Sequence, residues 1–347
     1  MQVFDEKYII RQANIYDIDS IMIFIDNYWK NGHILSRDKH LFEYEFVFRD
    51  KVNMILAIER SKNSIEGIFG FIYCSNPLTS KKLDIWGSLW YVKDGNVPFL
   101  GVELAKKAYE ITKCRMHIGS GANVNTTIPI RKMIFKDKVG KMKHYYYLNN
   151  MINDYKICVV NEKCCGSKIV CNYDSLISYS HINSFNEFRS CFSMKANNDI
   201  PYKDDWYINR RYFTYPYYKY IKYAIKYKDE VKAIIIMREV SAKNSKAIRI
   251  IDVLGDVSYF QFTHHFFEKL MIENNYEYVD FLCFGVPDEL IKNAGFCECN
   301  DNTSIIIPNY FEPFVQKNID IWVHYKFDGT RFFKGDCDQD RPNIVRL

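Results

Sequence analysis

The chain has 347 residues, too long for one average domain and suited to two. Hydrophobic residues make up 48% and aromatic residues 16%, enough to fill two cores, while 47 basic against 42 acidic side chains give a mixed charge rather than the coat of a nucleic-acid binder. No apolar run approaches the ~20 residues of a membrane-spanning helix and the N-terminus has no signal-peptide pattern, so a cytoplasmic protein with no nucleic-acid or membrane partner is expected.

In chain order, Tyr8-Ile9-Ile10-Arg11 reads as a strand. Asp17 is a plausible helix N-cap, with Ile18, Ile21, Met22 and Ile25 as the apolar stripe of a helix reaching Trp29. A polar segment through His33, Ser36, Arg37 and Asp38 precedes a second helical stretch to Phe46. Residues 54–59 and 66–73 flank Ser61-Lys62-Asn63-Ser64 as an antiparallel hairpin. The aromatic run of residues 83–92 continues that sheet. It is followed by a turn through Asp94-Gly95-Asn96-Val97-Pro98-Phe99-Leu100-Gly101 onto a helix, then a strand at 115–119, then Asn123 and Asn125 before another helix.

Residues 151–185 lack a sustained period and read as a bridge between domains 1–150 and 186–347, with β-favouring pieces at 156–160 and 168–171. The pattern then restarts. Residues 218–225 and 231–238 form a hairpin across Lys228-Asp229-Glu230, and a strand over 247–254 leads through Gly255-Asp256 into a helix over 259–274. A strand at 278–284, a short helix at 287–294 and a strand at 304–307 complete the same order. The expected fold class is therefore α/β (α+β), two duplicated domains, each a central mixed, mostly antiparallel sheet flanked by helices.

A strand, a turn onto a helix N-terminus and a further strand make a natural pyrophosphate site, because the first N–H groups of the helix and its positive dipole end face the anion. Gly101 would let the backbone approach such a ligand. This order, followed by Val139-Gly140 and Tyr145-Tyr146-Tyr147-Leu148, resembles the core of the GNAT N-acyltransferases over roughly residues 7–150, and more weakly over 185–315. That family carries Gln/Arg-x-x-Gly-x-Gly/Ala in the turn; here Asn96 to Gly101 keep one matching glycine.

The resemblance implies coenzyme A, as acyl-CoA, for a co-substrate, held by Tyr91, Val92, Pro98, Phe99, Leu100, Gly101, Val102, Asn123 and Asn125. It implies an oxyanion donor near residues 91–94, with Asp94 as candidate base or amine-orienting group; Asp94 also reads as a turn former before Gly95. Where the family carries a tyrosine as general acid, counting back from Gly140 finds Phe135 or Lys136, so the family's acid is missing; a path in which the amine passes its proton towards the CoA sulfur would need no such residue. In the second copy the turn at Leu254-Gly255-Asp256-Val257-Ser258 is short, and Asp256 would repel a phosphate. One half would then bind the donor while the other completes the acceptor site.

For the acceptor, His33, Ser36, Arg37 and Trp90 are candidates in the first half, and Arg210, Arg211, Tyr212 and Tyr215 in the second. Guanidiniums between aromatic rings could grip a nucleotide diphosphate, or could belong to a domain-interface strand. The segment from Trp29 to Ser36 and the tail Asp336 to Asn343 further resemble the tandem N-acyltransferases of nucleotide-linked amino sugars. That resemblance implies transfer of an acetyl or 3-hydroxybutyryl group to a dTDP-4-amino-4,6-dideoxyglucose-type acceptor in surface glycan biosynthesis. The alternatives are a non-catalytic nucleotide-sugar or CoA-binding protein, and an aminoacyl-tRNA-dependent peptidyltransferase.

The eleven cysteines lack zinc-ligand spacing, although Cys158, Cys164, Cys165 and Cys171 cluster, so free thiols and no metal are expected. The acidic tail lacks the glycine and bidentate glutamate of a calcium loop at the required offsets. Its Asp side chains are expected to fix the tail by local hydrogen bonds.

Overall fold

Two eight-stranded sheets carry the molecule in the computed structural model, which describes residues 2–161, 172, 174–194, 199–300 and 304–345. In the first, Tyr8–Asn14, Lys51–Glu59, Ser64–Tyr73 and Asp84–Val92 (β1) pair antiparallel in that order. Met116–Ser120 (β2) then lies parallel to β1, with Trp322–Tyr325 and Lys138–Lys141 beyond it. Lys51–Glu59 is buried from its second residue to its last, as a strand covered on both faces must be. Leu100–Thr112 (α1) bridges β1 and β2 and buries Leu104, Ala105 and Ala108.

The helix Ile18–Phe24 has Asp17 at its N-cap position, as expected, but the Asp17 side chain makes no cap bond to it and serves the preceding turn Ile15–Asp17 instead. Asn14 Oδ1 accepts the Tyr16 N–H, and Asp17, tied to Arg11 at 2.7 Å, accepts the Asn14 N–H at 2.8 Å. Asp17 is thus the third residue of a capping box whose N-cap is Asn14. The helix Ile18–Phe24 continues as a π-helical turn, Ile25–Trp29.

The second sheet repeats the plan. Ile177–His181, Ile221–Tyr227, Glu230–Ala242 and Ser245–Gly255 (β3) pair antiparallel, and Tyr278–Phe284 (β4) lies parallel to β3. Lys143–Leu148 pairs with β4 on its other side, followed by Cys297–Cys299. The core of this sheet includes Ile235, Ile248, Phe260, Phe267, Phe281 and Phe296.

The chain folds as two compact units. One contains the residues up to Val139, His324–Lys326 and those from Arg341 on; the other contains Gly140–Val323 and Phe327–Asp340. Within the expected bridge, Val159–Val160 pairs with Ile305–Ile306; residues 168–171 lie outside those described. The fold is the expected pair of mixed, mostly antiparallel sheets flanked by helices.

Candidate functional site

In the first unit β1 and β2 pair only at Asp84↔Met116, Ile85↔His117 and Trp86↔Ile118, then part. β1 runs on to Val92, and at ~3.3 Å per residue its parted edge from Gly87 is roughly 17 Å long. On the opposite side its register slips, with Phe69 facing Trp90 but Phe71 facing Gly87. Ser88 and Leu89 therefore bulge against Gly70, and the bulge bends β1 as the strands separate. Bulge and apex lie upstream of residues 91–94.

The turn after β1 is fixed by side chains far off in sequence. Tyr8 OH donates to Asn96 Oδ1 at 2.7 Å and accepts the Val97 N–H at 3.2 Å. Asn96 Nδ2 donates to Glu66 Oε2 at 3.1 Å and to Lys93 O, while Lys93 Nζ lies 3.0 Å from Glu66 Oε1 and 4.2 Å from the Tyr28 ring centroid. Burial pushes the Glu66 carboxyl up, but the hydrogen bonds from Asn96, Ser64 and Lys93 outweigh it and hold the group below its ordinary value.

Phe99, exposed, sits at φ 67° and ψ 11°, the left-handed conformation that glycine takes most readily. Counted along the family's turn pattern, it stands where the first glycine is expected. The backbone shape is kept although the residue is not. Gly101 follows in the first turn of α1, and its N–H has no partner among the described residues. Its lack of a Cβ also serves packing, since a Cβ would fall 2.8 Å from Trp90 Nε1, which donates to Gly101 O at 3.1 Å. Leu100 and Val102 are buried, whereas Pro98 and Asp94 are exposed and Tyr91 and Val92 half-buried. Asn123 Oδ1 accepts the N–H groups of Asn125 and Thr126, forming the entry to the helix Thr127–Met133, with Asn123 and Asn125 both exposed.

The acceptor candidates of the first half meet the tail. His33 is buried, and its Nδ1 accepts the Leu35 N–H at 3.2 Å. The proton must then be on Nε2, which donates to Asn343 Oδ1 at 3.2 Å. Burial first, and the charge of Arg341 second, lower the imidazolium to about 3, so the ring is neutral. Ile34 N donates to Asn343 O at 2.9 Å, and Arg341 reaches Glu45 at 2.7 Å and Ser88 Oγ at 3.4 Å. Ser36 and Arg37 both bond Asp26, Arg37 from an exposed position. The segment after Trp29, the β1 bulge and residues 341–343 thus converge in the first unit.

The second-half candidates are engaged inside their own unit. Arg211 is buried and donates to Gly335 O, Tyr220 OH and Asp340 O at 2.9–3.0 Å, with its guanidinium 4.7 Å from the Tyr215 ring centroid. Tyr212 OH donates to Asp252 Oδ2 at 2.6 Å. Arg210, half-buried, lies 5.7 Å from the Trp206 ring centroid. The acidic tail is held by long-range ion pairs rather than by local bonds alone: Asp340 pairs with Arg238, and Asp336 with Lys203 at 2.6 Å.

β3 and β4 also part, after Ile250↔Phe281, with a register slip next to Ile251. Here the chain fills its own gap. Phe333 and Phe332 pair with Cys283 and Phe284 of β4, and Gly335 N donates to Ile251 O of β3 at 2.8 Å. Lys203 Nζ lies 2.6 Å from both Asp252 and Asp336, binding strand to tail. Burial and the charge of Asp252 raise the Asp336 carboxyl, with Lys203 opposing them. The turn beyond β3 is taken by Asp256, whose Oδ1 accepts the Ser258 N–H at 2.9 Å.

Sequence reading gave no site role to Tyr8, Glu66, Lys203 or Asp252, and named Asp336 and Asn343 only as parts of the tail. Only a buried-type polar residue inside a strand, such as Asp252, carries a local signal. Of the cysteine cluster, Cys158 alone is among the described residues, where it is a buried free thiol. His264, His265 and Glu268 come within 4.8 Å of one another on a half-buried to exposed helix start.

No family model and no curated protein matches the chain in sequence. Its fold is similar to that of a GCN5-related N-acetyltransferase from Anabaena variabilis, with a TM-score of 0.55 at 10% identity over 92% of this chain and 72% of the other. It is also similar to a conserved protein of unknown function from Enterococcus faecalis, described as a probable N-acyltransferase, with a TM-score of 0.55 at 6% identity over 91% and 71%. The likeness spans both units and is one of fold, shared with these two structures.

Proposed function

We propose that the chain is an acyl-CoA-dependent N-acyltransferase whose donor lies in the first notch, the gap where β1 and β2 part. The parting of β1 and β2 after Trp86 and Ile118, leading to a turn onto the N-terminus of α1, carries this reading. A pantetheine arm can lie along the parted edge of β1 while its phosphates face the Gly101 N–H and the helix dipole. The thioester then stands near the apex, where an unprotonated amine attacks. No protein acid is required if the ammonium formed passes its proton to the departing sulfur.

For the acceptor we propose a nucleotide-linked amino sugar, the dTDP-4-amino-4,6-dideoxyglucose class with an acetyl or 3-hydroxybutyryl donor. Support comes from the sequence resemblance of two segments, residues 29–36 and 336–343, and from the joining of His33 and Ile34 to Asn343. Arg211, spent on Gly335, Tyr220 and Asp340, is a scaffold residue in this reading.

A thiol-release assay tests it, with acetyl-CoA and 3-hydroxybutyryl-CoA each set against dTDP- and UDP-linked 3-amino and 4-amino sugars. Acceptor-dependent release is expected with a 4-amino sugar. Release only with other amines would keep the transferase and remove the sugar; no release with any amine would remove both.

A further inference from the structure

A buried network lies behind the apex of the first notch. Arg131 Nη1 is 2.8 Å from His117 Nδ1, and since a guanidinium only donates, Nδ1 carries the lone pair and Nε2 the proton. Arg131 also donates to Asp137 Oδ2 at 2.8 Å, to Tyr109 OH at 3.0 Å and to His117 O at 3.1 Å. His324 Nδ1 lies 2.9 Å from Asp137 Oδ2; the carboxylate accepts, so His324 holds the opposite tautomer. Lys326 Nζ closes the network, 3.2 Å from Asp137 Oδ1.

Each imidazole points at the parted strands. A Cβ on Gly87 would fall 2.3 Å from His117 Nε2, and one on Gly119 would fall 2.3 Å from His324 Nε2. These two glycines follow directly on the last parallel pair, Trp86↔Ile118. Neither Nε2 has a partner among the described residues. The apex is therefore bordered by one fixed N–H donor and one fixed lone pair, with ring centroids 5.3 Å apart.

We propose that His117, on the acyl-CoA reading above, is a catalytic residue whose Nε2–H hydrogen-bonds the thioester sulfur as the C–S bond breaks, and that Arg131 is its positioning residue. The amine nitrogen bonds to the carbonyl carbon and the C=O π pair moves onto oxygen. That pair returns, the C–S bond breaks and its electrons leave on sulfur, which takes its proton from the ammonium. His117 keeps its own proton, because imidazolate is far too basic to form, and stabilises the thiolate as a fixed dipole that needs no reorganisation. Burial, and then the charge of Arg131, hold its imidazolium far below the ordinary value, so the neutral donor form persists.

The test compares His117→Leu, which removes the donor, with His117→Gln, which retains one, in the thiol-release assay alongside thermal melting. Leu is expected to lower kcat about 10²-fold with donor KM unchanged, and Gln to recover at least tenfold of that. Nitrogen-15 NMR of the full chain should show His117 as the pure Nε2–H tautomer, lost in Arg131→Leu. Equal kcat for Leu and Gln, or a Leu variant as fast as wild type, overturns the role. If Leu fails to fold, Gly87→Ala decides: its Cβ displaces the ring, and wild-type kcat there also overturns it. Wild-type protein inactive with every donor and amine instead removes the transferase reading, and this role with it.

Discussion

The two notches share strand geometry and differ in what lies between the strands. Each opens after three parallel pairs, and each has a register slip beside the opening. In the second, the backbone of residues 332–335 bonds to both strands and Lys203 ties Asp252 to Asp336. In the first, no further strand pairs with the parted side of β1 or β2 among the described residues, and two glycines and two imidazoles border the apex. A duplicated fold thus keeps its shape in both copies while, on the proposed function, the lining decides which copy takes the donor. The sequence already hinted at this asymmetry through Asp256, which occupies its own turn.

The sharpest way to break the comparison is to open the second notch. Lys203→Met leaves Asp252 and Asp336 facing one another in the core, and should cost about 3–5 kcal/mol in urea unfolding. A loss below 1 kcal/mol would show that the tail is not locked by this triad.

Next in size is Lys334, whose buried amine has no hydrogen-bond partner among the described residues and lies 4.4 Å from the Tyr310 ring centroid. Burial, then the charge of Arg249, lowers it to about 7. Between pH 7 and its unfolded value near 10.4, the unfolded chain holds a proton that the folded chain has released, so stability rises with pH across that window. Lys334→Met should therefore stabilise by about 1–4 kcal/mol at pH 7, with the gain shrinking towards pH 10 in melts at both values.

In the first notch, Gly101→Ala sets a Cβ against Trp90 Nε1 and should cost about 1–3 kcal/mol. Calorimetry should also show weaker acyl-CoA binding; unchanged affinity would detach this turn from the donor site. Phe99→Gly should have the smallest effect. Relief of the left-handed strain, about 1 kcal/mol, is offset in part by the entropy of glycine, leaving stability within ~0.5 kcal/mol and donor binding intact.

The strand and helix order was legible because alternation and helical spacing are local properties. Which sheet a strand joins was not. Lys143–Leu148 reads as a strand in either sheet, and its register with β4 depends on residues about 130 positions away. Phe99 concealed a turn whose backbone is that of glycine, so the loop looked more degenerate than it is. For Arg211 a ligand grip and an interface strand both stayed open, because sequence shows a guanidinium among rings, not that its donors end on Gly335, Tyr220 and Asp340. His117, Arg131, Asp137 and His324 carry no shared motif, and only the fold brings them together.

Hydrogen exchange of the full chain with and without acetyl-CoA tests the central claim most directly, because it reads both notches in one experiment. Protection should rise over residues 87–103 and 119–126 and stay unchanged over 251–262 and 283–286. Protection confined to the second set, or absent from both at saturating donor, would contradict the assignment of the donor to the first notch.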